Sequence, residues 1–184
     1  MATIPDWMIK QYVDRGDIGI DPYDESNVEP ASVDLRLGDS FIETIETGQV
    51  IDTRNPTTHN TREFEASEIT LEPGEEILAA TKEYVSIPDF LEAEVTGRSS
   101  LGRLFVEVHK TAGFCDPGFE GQITLEIQNH NANPVTLYEG QRVCQIIFRY
   151  IMGGAVERPY GHDGSQYQGQ TGATDSGMKF GPHS

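Results

Sequence analysis

From residue 30 onward the chain is written in short apolar alternations that Gly, Pro, Asn or Asp cut off at intervals of about ten residues. The segments SVDLRLG (32–38), ITLEPG (69–74), EILAATKEYVSIP (76–88), GQITLEIQN (121–129) and QRVCQIIFRYI (141–151) carry the pattern. A period of two places successive side chains on opposite faces of an extended strand, and the turn residues arrive before a helix could complete. The pattern predicts a mainly β fold, a sandwich or barrel. It disfavours a parallel α/β sheet, because no helical segments separate the strands. FLEAEV (90–95) fits either a helical turn or a strand. One helix is expected near the start, over 5–15, where Met8, Ile9, Tyr12 and Val13 share a face. Asp6 is its candidate cap and Gly16 its candidate end. A length of 184 residues suits one domain, 1–160, followed by a tail, 161–184, rich in Gly, Ser, Gln and Thr. On composition the tail is flexible; its functional alternative is a lid that orders over a ligand.

The net charge of −17, from 30 acidic and 13 basic residues, argues against nucleic-acid polymers and anionic membranes as partners. The acids are spread along the chain and lysine is confined to Lys10, Lys82, Lys110 and Lys179, a pattern expected of a salt-adapted, halophilic surface. No run of about 18 apolar residues predicts a membrane span. The opening MATIPDWMIK lacks a basic-then-apolar signal, so a cytoplasmic protein is expected. Cys115 and Cys144 form no CxxC pair and suggest no disulfide framework; each is expected as a small buried side chain.

Zinc-dependent nucleobase deaminases require H-x-E and P-C-x-x-C, and neither occurs here. A P-loop and a G-x-S-x-G elbow are also missing. Two dense segments remain. GRSSLGR (97–103) combines glycines, which allow tight turns, with arginine and serine groups able to hold phosphate oxygens; a plain surface turn is the alternative. In HKTAGFCDPGFEGQITLEIQN (109–129), Asp116, Pro117 and Gly118 read as a turn, and the strand beyond sets Thr124, Glu126 and Gln128 opposite Ile123, Leu125 and Ile127. Periodicity alone reads the Glu126 face as solvent.

GRSSLGR, TAGFCDPGFEGQITLEIQN and YQGQTGATDS (167–176), with PASVDLRLG (30–38), together resemble the dCTP deaminase family of the trimeric dUTPase superfamily. GRSSLGR alone is shared with dUTPases; the DPGF…TLE combination is more specific to the deaminases. The resemblance spans roughly residues 30 to 176. It implies a dUTPase-like distorted jelly-roll (β-clip), a homotrimer, and active sites between subunits. It implies that Arg98, Ser99, Ser100, Leu101, Gly102 and Arg103 bind nucleotide, that Asp116 holds the 3′-hydroxyl, and that Thr124, Leu125 and Glu126 meet the base. Gln145, Tyr160 and Gln170 match further nucleotide contacts, the last two from the tail.

Zinc-free deamination at C4 then needs a carboxylate to activate water, and Glu126 is the candidate general base. Arg103 is the candidate partner of Glu126, while Ser99 and the carbonyl of Ala112 are candidates to position the water. Mg²⁺ is expected through the triphosphate of dCTP rather than on protein ligands. Gly113 and Phe114 resemble the family members that continue past dUTP to dUMP and diphosphate, with small Gly113 leaving room for a second water. Gln166 stands where the family usually has Lys, which removes a phosphate-pairing charge. Inhibition by dTTP is a family trait, and His109 lies at a position linked to it. The alternatives are a deaminase that stops at dUTP, a plain dUTPase, a catalytically dead nucleotide-binding regulator, and an acidic β-sandwich interaction module.

Overall fold

The computed structural model describes residues 2–54 and 59–178. Helix α1 (Asp6–Arg15) precedes the strands β1 (Gly19–Asp21), β2 (Val28–Glu29), β3 (Ser32–Thr44), β4 (Thr61–Glu65), β5 (Glu68–Leu71), β6 (Glu76–Ser86) and β7 (Leu91–Gly97). After the short helix α2 (Ser99–Gly102) come β8 (Val106–Glu107), β9 (Phe114–Cys115), β10 (Glu120–Asn129), β11 (Val135–Tyr138) and β12 (Arg142–Tyr150). The predicted mainly β architecture is the one observed.

The main sheet has the order β8-β10-β6-β3-β12-β7-β9, and its pairings are antiparallel. β3 is its corner. Residues 33–36 pair with β12, and residues 37–42 pair with β6. Register shifts interrupt both ladders, and such irregularities bend and twist a strand. At the bend, a Cβ on Gly38 would sit 3.0 Å from the Ala80 carbonyl, so glycine permits the close approach to β6. The curled sheet encloses Leu35, Leu37, Phe41, Leu125, Ile127, Ile146 and Phe148, all buried. The backbone amide and guanidinium of Arg36 on β3 both bond the buried Glu83 carboxylate on β6, at 2.8 and 2.6 Å.

FLEAEV resolves as strand: Leu91, Ala93 and Val95 enter the core while Glu92 and Glu94 pair with Arg149 on β12. The helix lies where the periodicity put it, and Gly16, at φ 77°, ends it by returning its N–H to Tyr12 and Val13. Its start differs from expectation. Pro5 is the N-cap residue, and Asp6 is the first helical residue, with its own amide bonded to Pro30. No side chain caps the turn; Asp6 instead places a negative charge near the positive end of the helix dipole.

Beyond β12 the chain turns back along β10. The Tyr160 amide bonds Pro117 at 2.7 Å, the Gly169 amide bonds Glu120 at 2.7 Å, and Gln122 donates to Gln170 at 3.0 Å. The described part of the expected tail, 161–178, is therefore packed on its own chain; residues 179–184 lie outside the described residues.

Candidate active site

The alternation of β10 turns Ile123, Leu125 and Ile127 into the core and leaves Gln122, Thr124 and Glu126 half-buried on the other face. That face is not bare solvent. It forms one wall of a cavity of about 540 Å³ lined also by Ala112, Asp116, Tyr160, Gln170 and Asp175. Within it, Glu126 Oε2 accepts from the amides of Lys110, at 2.8 Å, and Thr111, at 3.2 Å. No described residue donates to Oε1. One oxygen is thus oriented by the backbone while the other is free to take a proton from a bound water, the arrangement a general base requires. The ring of Phe119 packs on that of Tyr160, at 5.9 Å between centroids, behind the turn that carries Asp116. Gly118 in that turn has φ 89°, and a Cβ there would lie 2.6 Å from Pro159, so glycine lets the returning chain dock.

The GRSSLGR segment builds a second cavity. β7 ends at Gly97; Arg98 follows in extended conformation, and the single turn α2 is held by Leu101, which is buried. Arg98, Ser99, Ser100, Gly102 and Gln145 line a space of about 740 Å³ together with Asp34. Arg98 and Arg142 both reach Asp34 Oδ2, at 3.1 and 3.2 Å. Burial pushes the Asp34 carboxyl above the usual carboxylate range, and the two guanidinium groups counter that only in part. Ser32 donates to Gln145 Oε1 at 3.1 Å, which orients the amide on this wall. The Arg98 guanidinium, the Ser99 and Ser100 hydroxyls and the Gln145 amide give this space donors for a polyanion, while Glu29, Asp34 and Glu107 add carboxylates to its lining.

The sequence candidates therefore divide. Glu126, Ala112, Asp116, Thr124, Tyr160, Gln170 and Phe114 meet at one cavity; Arg98, Ser99, Ser100, Gly102 and Gln145 meet at the other. Within one chain the structure does not bring Ser99 or Arg103 to Glu126. Arg103 is exposed at the end of α2, and no described cation pairs with Glu126. Leu125 points into the core, so only its backbone is available to a base. Gln166 bonds the Tyr167 hydroxyl at 3.1 Å. At Gly113 the direction a side chain would take is filled. A Cβ there would lie 2.5 Å from the Val95 carbonyl and 2.9 Å from the His109 ring, so glycine is required by packing. Sequence reasoning missed Asp34 as the anchor of Arg98, and the backbone amides that orient Glu126, which no side-chain motif can announce. It missed His59 and Asp175 as well, both in the Glu126 cavity.

Both cysteines are buried. Burial pushes the Cys115 thiol up to about 12 and raises that of Cys144 as well. Among the described residues no group of three or more His, Cys, Asp or Glu side chains could hold a metal ion, and no helix is long and apolar enough to cross a membrane.

The family model described as dCTP deaminase-like matches residues 3–151. A "dCTP deaminase, dUMP-forming" of Methanosphaera stadtmanae is 49% identical, over 97% of this chain and 95% of its own. One of Methanothermobacter thermautotrophicus is 45% identical, over 97% and 95%. A "dCTP deaminase" of Natronomonas pharaonis is 48% identical, over 89% and 88%. Among solved structures, the 2'-deoxycytidine 5'-triphosphate deaminase of Agrobacterium tumefaciens superposes with a TM-score of 0.63 at 22% identity, over 81% of this chain and 48% of that one, a likeness of fold.

Proposed function

The chain belongs to the dCTP deaminase family, and from that premise we propose that it hydrolyses dCTP to dUTP and ammonia and carries the dUTP on to dUMP and diphosphate. The observation that carries the deamination is Glu126, with Oε2 held by two backbone amides and Oε1 free toward a cavity. Glu126 takes a proton from water, the hydroxide adds to C4 of cytosine, and the proton is handed on so that the amino group departs as ammonia and the carbonyl of uracil remains. Asp116 and the Tyr160 side of the same cavity hold the sugar, and Thr124 lies beside the base. The naming of several relatives as dUMP-forming supports the second hydrolysis, in which water cleaves dUTP between the α- and β-phosphates.

The division of the candidates between two cavities supports sites shared between subunits of a homotrimer. One subunit supplies Glu126, Ala112 and Asp116; its neighbour supplies Arg98, Ser99, Ser100, Arg103 and Gln145 around the phosphates and the reacting water. The domain, 1–160, and the tail, 161–184, then work as scaffold and lid. Arg98, Ser99 and Ser100 would hold the phosphate chain, and Mg²⁺ carried on the triphosphate would neutralise part of its charge. The protein acts in the cytoplasm, where deoxynucleotides are made.

Purified protein is incubated with dCTP and Mg²⁺ in molar KCl, and the nucleotides are separated. The expected products are dUMP and diphosphate. Accumulation of dUTP would cancel the second reaction, and intact dCTP would overturn the deaminase reading. Glu126→Gln is expected to keep nucleotide binding and to lose turnover by at least about 100-fold.

A further inference from the structure

His59 stands at the end of the β3–β4 connection, in a stretch with no motif. In the folded chain its Nε2 lies 3.1 Å from Asp175 Oδ1, and the Thr61 hydroxyl donates to Asp175 Oδ2 at 3.2 Å. A carboxylate only accepts, so Nε2 carries the proton and donates. The ring's Nδ1 is buried without a partner among the described residues, which leaves the Asp175 contact as its single tie. Hydrogen bonds to a charged acceptor are the strong ones, and this carboxylate is held at both oxygens.

Asp175 closes a row of ties. The amide of Gly172 donates to Gln122 at 2.6 Å, that of Ala173 to Ser40 at 3.0 Å, and that of Thr174 to Thr124 at 3.1 Å. Three of these anchors lie on β3 and β10; His59 and Thr61 add the other side of the Glu126 cavity, which His59 and Asp175 both line. The side chains of His59 and Asp175 keep only 20% and 31% of their exposure, so the pair is shielded from competing water.

We propose that His59 is a positioning residue of the deamination site, which acts through Asp175 to clasp segment 172–176 against the Glu126 cavity. The proposal rests on the reading of that cavity as the dCTP site. Holding the segment in place before substrate arrives lowers the ordering cost of binding. The gain is felt equally in the bound ground state and in the transition state, so the clasp acts on KM and not on kcat.

The test combines amide hydrogen exchange in the free protein with steady-state kinetics on dCTP, for His59→Ala, Asp175→Ala, the double variant and His59→Gln. His59→Ala and Asp175→Ala are each expected to speed exchange at residues 172–174 about 10-fold. Each should also raise KM about 10-fold with kcat within about 2-fold. The double variant should be no worse than either single one, and His59→Gln, which keeps a donor near the Nε2 position, should recover most of the loss. Unchanged exchange would show that no clasp operates. A fall in kcat at constant KM would place His59 in the chemistry instead, and a Gln variant no better than Ala would remove the hydrogen bond from the account. Wild-type protein that left dCTP intact would overturn the deaminase reading and the role of His59 in it. The exchange data would separate that case from a clasp that never formed.

Discussion

Glu126 differs from most acids of this chain in what surrounds it: two amides in fixed register from the segment that crosses beside β10. The same crossing explains Gly113, whose neighbours leave no room for a Cβ. Gly113→Val is expected to cost about 1–3 kcal/mol through overpacking, read as a Tm lower by about 5 °C. A variant as stable as the parent would show that Val95 and His109 can move aside. The cysteines make a chemical prediction. With thiols raised by burial, the thiolate that reacts with iodoacetamide is scarce at pH 8, so neither Cys115 nor Cys144 should be alkylated in folded protein, and both should be after denaturation. The direction follows from desolvation: the neutral thiol is favoured in the fold, and reactivity rises only as pH approaches the raised value, about 12 for Cys115.

At the scale of elements, β3 and β10 position the proposed site. β3 turns the corner of the sheet, and Arg36 ties it to β6 through a Glu83 carboxylate that is almost wholly withdrawn from water. Arg36→Met would leave that charge buried and unpaired, and is expected to cost about 3–5 kcal/mol, measured as a shift of the urea midpoint. A much smaller shift would mean that water reaches Glu83. β10 works differently: its apolar face fixes it in the core, and its polar face receives both Glu126 and the returning segment. The tail composition that reads as flexible is also what lets the segment lie flat, because the Gln170 side-chain amide donates to the Gln122 carbonyl and the Gly172 backbone amide donates to the Gln122 side chain.

At the scale of the whole molecule, the proposed sharing of sites between trimer subunits predicts a complementation experiment. Glu126→Gln and Arg98→Ala are each expected to be inactive, yet trimers formed by unfolding and refolding an equal mixture should regain roughly a quarter of parental activity, the share of interfaces with both residues intact. No recovery would place the whole site within one chain. The net charge of −17 makes a second whole-molecule prediction: Tm should rise from dilute buffer to molar KCl as self-repulsion is screened. A Tm that did not rise would count against a salt-adapted surface.

The sequence by itself determined the β class, the helix over 5–15 and the strands around the core, since a period of two and turn residues are local signals. It left 90–95 open, because a six-residue apolar alternation fits two periods, and only pairing with β12 decides it. It marked Glu126 through motif resemblance, while the periodicity of β10 pointed to solvent. Only the tertiary structure covered that face, oriented the carboxylate through the amides of Lys110 and Thr111, and set His59 beside Asp175 across 116 positions of chain. Backbone donors have no letter in the sequence, and contacts between distant segments arise only once the sheet has curled to bring them together.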